Sequence, residues 1–273
     1  MNLSVRKSGQ MGAKMTNTDF DFKRIAEGYK NRPFLHRQVI EKFQTDTGKT
    51  SFALGLDIGC GAGLSTKALK NICEKAIGTD ISPEMIRVAK EVCSQDTNIE
   101  YFVGSAEDLT IGEGKADIAT AAGAIQWIDR ERFLLNMKRI IKEKGYLLIY
   151  DFAISDVMMG NPAYTAWWHD RYVKEFPKPY RNENVWKEED VIPYGFIMTE
   201  QVELNMEYDF DMETFIDFMM IQSNVNAKID KEGRKEEEVY DWFRETLFPI
   251  FQEREQRLVF KGYSWYLLRK AMT

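Results

Sequence analysis

The chain has only two histidines and three cysteines in 273 residues, and nothing close to the roughly 18 consecutive apolar residues that a membrane span needs. Each shortage excludes something. No Cys/His spacing suits zinc, so no metal site is expected. Cys60, Cys73 and Cys93 are odd in number and lie in one half, which is no disulfide framework. They read as reduced core or turn residues of a cytoplasmic protein. Met1–Lys14 lacks the apolar stretch of a secretory signal, and residues 1–19 are expected to form a disordered tail. Basic charge is also short: 37 Lys and Arg against 43 Asp and Glu give a net charge of −6. A broad phosphate-binding face needs clustered Lys and Arg, so nucleic acid is not an expected partner. Repeats and low-complexity blocks are missing as well.

What the chain does have is a core-forming composition, 44% hydrophobic, and one informative stretch. Leu54, Leu56 and Ile58 are apolar and flank Asp57; Gly59, Gly61 and Gly63 follow. That is a short buried strand running into a tight turn. Leu64–Lys70 then has helical spacing. Glycines let a backbone approach a ligand closely, and the N–H groups of a helix start favour negative charge. The spacing is G-x-G-x-G, not the G-x-G-x-x-G of dinucleotide sites. Asp57, just before the turn, would repel a pyrophosphate but suit a cationic amino group. Asp80 ends the next apolar strand, Lys75–Asp80, where a carboxylate can take both ribose hydroxyls. A ligand with an α-amino acid at one end and a nucleoside at the other satisfies both acids.

At Leu56–Gly63 and Gly78–Ser82 the chain resembles the class I S-adenosylmethionine-dependent methyltransferases. The resemblance implies a Rossmann-like α/β fold: a seven-stranded, mostly parallel sheet with helices on both faces, an N-terminal helical cap and a helical lid insert after strand 5. The implied divisions are a cap over 20–50, a cofactor core over 51–152, a lid over 153–198 and completion of the sheet over 199–273. The implied cofactor is S-adenosyl-L-methionine, leaving as S-adenosyl-L-homocysteine. Its implied contacts are Asp57, Gly59, Cys60, Gly61, Gly63, Asp80, Ile81, Met85, Ser105, Ala106, Glu107 and Ala122. Asp108 is an equal candidate for the adenine acceptor.

Along the chain, Phe20–Phe43 has helical periodicity split by Pro33. Tyr29–Pro33 resembles the Tyr-x-x-x-Arg-Pro segment of trans-aconitate-type carboxyl methyltransferases, which puts Tyr29 and Arg32 near cofactor or substrate. Ser82-Pro83 begins a helix. Strands are expected at Ile99–Val103, Ala116–Gly123 and Tyr146–Tyr150, and a helix at Phe133–Ile141. Small residues end the fourth strand, and no Asn/Asp-Pro-Pro-Tyr segment follows, which disfavours methylation of base nitrogens. Ala124–Trp127 resembles the Ala-Leu-(His/Gln)-Trp segment of trans-aconitate and malonyl-carrier-protein carboxyl methyltransferases, which makes Gln126 and Trp127 substrate candidates.

Asp151–Pro193 is rich in aromatics and carries Trp168, His169 and Arg171 as further substrate candidates. His169 and Gln126 are the candidate catalytic residues, against plain packing of a helical insert. A strand is expected at Thr199–Met206 and a helix at Phe210–Val225. A second helix is expected at Val239–Gln256, and a last, antiparallel strand at Leu258–Leu268. A carboxylate acceptor is already ionised and needs donors, not a base. With few base candidates and Arg32, Arg171 and Arg181 available, the expected reaction is O-methylation of a small or carrier-bound carboxylic acid by a monomer or homodimer. The alternatives are N- or C-methylation of another small metabolite, a binding-only S-adenosylmethionine protein, and a nicotinamide dehydrogenase.

Overall fold

A computed structural model describes residues 28–29, 32–177 and 185–271. Past Pro33 the chain enters α1 (His36–Thr47), which buries Val39, Ile40 and Phe43 and stops at Gly48, where φ is +68°. Two βα units follow: β1 (Phe52–Ile58), α2 (Leu64–Lys70), β2 (Cys73–Asp80) and α3 (Pro83–Val92). Ser82 caps α3 by accepting from the Met85 N–H, and Pro83 occupies its first turn. Then come β3 (Ile99–Val103), β4 (Ala116–Ala122) and α4 (Arg130–Ile140), whose N-cap Asp129 accepts from the Arg132 N–H. The chain continues with β5 (Ile141–Met158), α5 (Pro162–Trp167), β6 (Phe196–Phe210), α6 (Met212–Met220), α7 (Glu236–Phe251) and β7 (Gln256–Arg269).

The seven strands form one sheet in the order β3-β2-β1-β4-β5-β7-β6. The first five are parallel, and β7 runs antiparallel between β5 and β6. Alternation along the strands feeds two cores. Leu148 and Tyr150 of β5 face one side with α1, α6 and α7, while Leu147 and Ile149 face α4 on the other. This is the expected architecture, N-terminal cap and helical insert included. No helix among the described residues is long and apolar enough to cross a membrane.

Two boundaries depart from expectation. β5 runs to Met158, not Tyr150, because β7 pairs with it from Tyr146–Leu268 out to Met158–Leu258. Residues 153–158 of the expected lid are therefore sheet, and the helical insert starts at Pro162. None of the described residues of the insert lines the cavity at the strand ends. The insert's aromatics stack on one another and on the C-terminal helices: Trp167 lies 5.4 Å from Tyr172 at 16°, and Phe176 lies 5.2 Å from Phe243 at 9°. Asn224 locks this cluster by donating to the Tyr172 hydroxyl and the Phe176 carbonyl. The expected tail, the start of the cap, and Tyr180 and Arg181 lie outside the described residues.

One buried carboxylate ties the first half together. Asp57 is wholly inaccessible. Its Oδ2 accepts from the Ser65 hydroxyl at 2.6 Å and the Thr66 hydroxyl at 2.7 Å, both on α2. Its Oδ1 accepts from Thr120 on β4 at 2.6 Å. Burial raises its carboxyl to about 6; the three hydroxyls oppose that shift and the nearby Asp80 charge adds to it.

The native state thus holds this proton more tightly than the unfolded chain, whose carboxyl has an ordinary value near 3.8. The stabilisation is complete below about pH 4 and is lost as pH rises through about 6. Asp57→Asn, an isostere without that charge, should therefore gain stability relative to wild type between pH 5 and pH 7 in urea unfolding. Asp57→Ala leaves three buried hydroxyls without their acceptor and should cost roughly 2–4 kcal/mol at every pH.

Candidate active site

A cavity of about 280 Å³ opens at the carboxyl ends of β1, β2 and β4 and beside Tyr150–Ile154 within β5. Ligands of open α/β sheets bind at this end, where the strand order reverses between β1 and β4. Three sets of residues build its wall.

The first set comes from the glycine turn and β2. Gly59 and Gly61 line the cavity with positive φ (+66° and +52°). A Cβ on Gly61 would meet only the Tyr29 ring, at 3.9 Å, so the backbone itself is presented to a ligand. The Gly61 N–H donates to Asp80 Oδ2 and the Ser82 N–H to Asp80 Oδ1, both at 2.9 Å. The Asp80 carboxylate is thereby aimed by two main-chain amides. Ile81 and Met85 stand beside it in the wall.

The second set follows β3 and β4. Ser105, Ala106 and Glu107 line the cavity, whereas Asp108 is exposed and stays outside it. Glu107 accepts from the Ser105 hydroxyl and from the Asp129 N–H. Burial would raise the Glu107 carboxyl, but these bonds outweigh it and hold the group below its ordinary value. Ala122, Gly123 and Ala124 leave β4, and Gln126 and Trp127 sit on the 3₁₀ turn that follows.

The third set closes the opposite side. Tyr29, Arg32, Pro33 and His36 come from the N-terminal segment; Tyr150, Phe152 and Ile154 come from β5; Phe218, Gln222, Ser223 and Phe260 come from the C-terminal part. The Arg32 guanidinium lies 3.8 Å over the Tyr29 ring. Its Nε is buried and has no hydrogen-bond partner among the described residues. Leaving a buried donor unpaired is costly, so this one marks a place for an acceptor that the described residues do not supply.

Several expected contacts stay off the wall. Asp57 is behind the turn, where it holds α2 and β4. The Cys60 side chain packs against Ile86, Ala89 and Tyr101, and its thiol is driven upward by burial. A Cβ on Gly63 would fall 2.6 Å from the Tyr101 hydroxyl, so that glycine serves helix packing. Trp168 is buried against Tyr172, 4.7 Å away. His169 pairs at the surface with Asp156, 2.8 Å away, and Arg171 is exposed. These three sit on the insert, whose apolar side is spent on α7. Sequence reasoning passed over His36, Tyr150, Phe152 and Phe260. His36 had one usable signal: it follows Arg32 by four residues, the spacing of neighbours on a helical path.

The wall suits S-adenosylmethionine by its chemistry: an aimed carboxylate for vicinal hydroxyls, open glycine backbone, and apolar sides at Ile81 and Met85. Residues 56–149 match the family model described as a methyltransferase domain. A candidate methyltransferase of Dictyostelium discoideum is 29% identical over 163 residues, 59% of this chain and 59% of that protein. Malonyl-[acyl-carrier protein] O-methyltransferase 1 of Ilyobacter polytropus is 29% identical over 148 residues, 53% of this chain and 52% of that protein. The chain thus spans between about half and three-fifths of the length of these curated relatives. Among solved structures, a candidate type II methyltransferase of Anaeromyxobacter dehalogenans superposes with a TM-score of 0.66 at 22% identity, covering 85% of this chain and 95% of that one. That likeness concerns the fold. Strand order, glycine turn and family match agree on one conclusion: residues 56–149 of the chain form a class I S-adenosylmethionine-dependent methyltransferase domain.

Proposed function

We propose that the protein O-methylates a carboxylic acid, small or carrier-bound. The observation that carries this reading is the Arg32 guanidinium at the cavity wall, with a buried Nε that lacks an acceptor. Stacking on Tyr29 fixes its plane, and a planar guanidinium suits a carboxylate. The Ilyobacter relative supports the choice, since its name gives oxygen as the methylated atom and a malonyl carrier protein as the acceptor.

S-adenosylmethionine supplies a methyl group on a sulfonium, and an ionised carboxylate attacks it without needing a base. The chain's own task is then orientation and exclusion of water. Asp80 holds the ribose hydroxyls, Glu107 with Ser105 and Ala106 flanks the adenine, and Gly59 and Gly61 receive the amino-acid end. The Asp57 charge favours the cationic amino group from behind the turn. Trp127 forms a rigid side of the acceptor space, Gln126 offers a donor and an acceptor, and Phe152, Phe218 and Phe260 give an apolar bed for the acid's body.

Purified protein with methyl-labelled S-adenosylmethionine and a panel of carboxylic acids and acyl-carrier thioesters should yield label that alkali releases as methanol. Alkali-stable label would instead mean a nitrogen or carbon acceptor, and no transfer despite calorimetric binding of the cofactor would mean a binding-only protein. Asp80→Ala should weaken that binding by about tenfold or more, since two hydroxyls lose a charged acceptor. In steady-state assays Arg32→Met should raise KM for the acid by about tenfold or more, with cofactor affinity little changed. His169→Ala and Arg171→Ala, both off the wall, should stay within about twofold of wild type.

A further inference from the structure

His36 lines the cavity yet has no part in the scheme so far. Its Nδ1 is 3.0 Å from the Tyr150 hydroxyl, and its ring lies 5.2 Å from Phe152. Tyr150 is 1% exposed, and among the described residues His36 is the hydrogen-bond partner of its hydroxyl. A buried O–H without an acceptor costs about 1–3 kcal/mol, so the phenol donates and Nδ1 accepts. A neutral imidazole carries one N–H, which then resides on Nε2. Nε2 meets no partner among the described residues. Burial, reinforced by the Arg32 charge, pushes the imidazole down to about 3. The ring is therefore neutral at working pH and too weak a base to take a proton from an acceptor. What it offers the cavity is a fixed donor.

Charge in the wall narrows the ligand further. Arg32 is its one cation among the described residues, beside the acids Asp80, Glu107 and Asp151. One carboxylate is matched there, and a second would meet only like charge.

We propose that His36, held by Tyr150 as the Nε2–H tautomer, is a substrate-binding donor that shares the acceptor's carboxylate with Arg32, and that the cavity selects an acid with one carboxylate on an apolar body. This rests on the carboxylic-acid reading, and the two can fail separately.

The test uses the full chain with S-adenosylhomocysteine and ¹⁵N-labelled histidine. There are only two imidazoles to observe, and His36→Gln assigns them. Wild type should show His36 as Nε2–H, unchanged from pH 5.5 to 8, and Tyr150→Phe should convert it to a tautomer mixture. Benzoate should shift the Nε2–H resonance, while terephthalate, the same ring with a second carboxylate, should not. Calorimetric benzoate affinity should fall about tenfold in His36→Asn, which keeps the Tyr150 contact but loses the Nε2 donor. It should fall less in His36→Gln, which keeps a donor near that position. Cofactor affinity should be unchanged in both; equal losses in the two variants together with weaker cofactor binding would mean a structural role and sink the proposal. An Nδ1–H tautomer, titration of His36 within that pH range, or bound benzoate that leaves His36 unmoved would overturn the His36 role and leave the acid reading standing. Equal response to terephthalate would overturn the single-carboxylate selection. No benzoate binding in wild type would remove both.

Discussion

The site depends on a charge that never touches it. Asp57 sits at the end of β1 with no exposed surface, and its two oxygens collect hydroxyls from α2 and from β4. Those bonds set where α2 begins and how far β4 stands from β1. The glycine turn spans that interval, so its open backbone at Gly59 and Gly61 has little freedom left. An aliphatic residue could pack there, but it could accept from none of the three hydroxyls. Keeping a carboxylate in so dry a place raises its proton affinity, and a cationic ligand at the turn would offset part of that cost. One residue thus couples strand spacing, helix start and ligand charge.

The second constraint is polarity along the cavity. Asp80 and Glu107 stand on the β2 and β3 side, and each has its oxygens oriented by hydrogen bonds from neighbouring groups. Arg32 enters from the other side on the N-terminal segment. A molecule with hydroxyls and an amino group on one side and a carboxylate on the other is complementary to that gradient.

How legible this was in the sequence follows from how local each signal is. The turn, Asp80 and Ser105–Glu107 follow directly from short strands, and strand ends are marked by glycine and by the loss of apolar alternation. The cavity wall of the cofactor half was therefore readable, apart from Asp57, which turns back to Ser65, Thr66 and Thr120, and Cys60 and Gly63, whose neighbours Tyr101 and Ala89 come from distant parts of the chain. The lid was not readable. Trp167, Tyr172 and Phe176 look the same in sequence whether they face a ligand or Phe243, and only the position of α7 decides between them. The extension of β5 past Tyr150 was hidden for a related reason. Its partner is β7, over a hundred residues later, and half-exposed antiparallel pairing leaves no continuous apolar run.

Among the described residues it is then the N-terminal segment, and not the insert, that lines this side of the cavity. Gly28 packs so close to Ile221 that a Cβ would lie 2.4 Å from its Cγ2, which seats the segment on the end of α6. Pro33 is buried at the wall, and α1 continues from it into the core through Val39, Ile40 and Phe43. Tyr29, Arg32 and His36 are fixed between these two anchors. Of the wall residues given to the acceptor in the proposed reading, Arg32 and His36 thus lie outside the matched domain of residues 56–149, while Gln126 and Trp127 lie within it. The proposed reading accordingly places substrate choice on Arg32 and His36, set against the β5, α6 and β7 aromatics that line the same cavity.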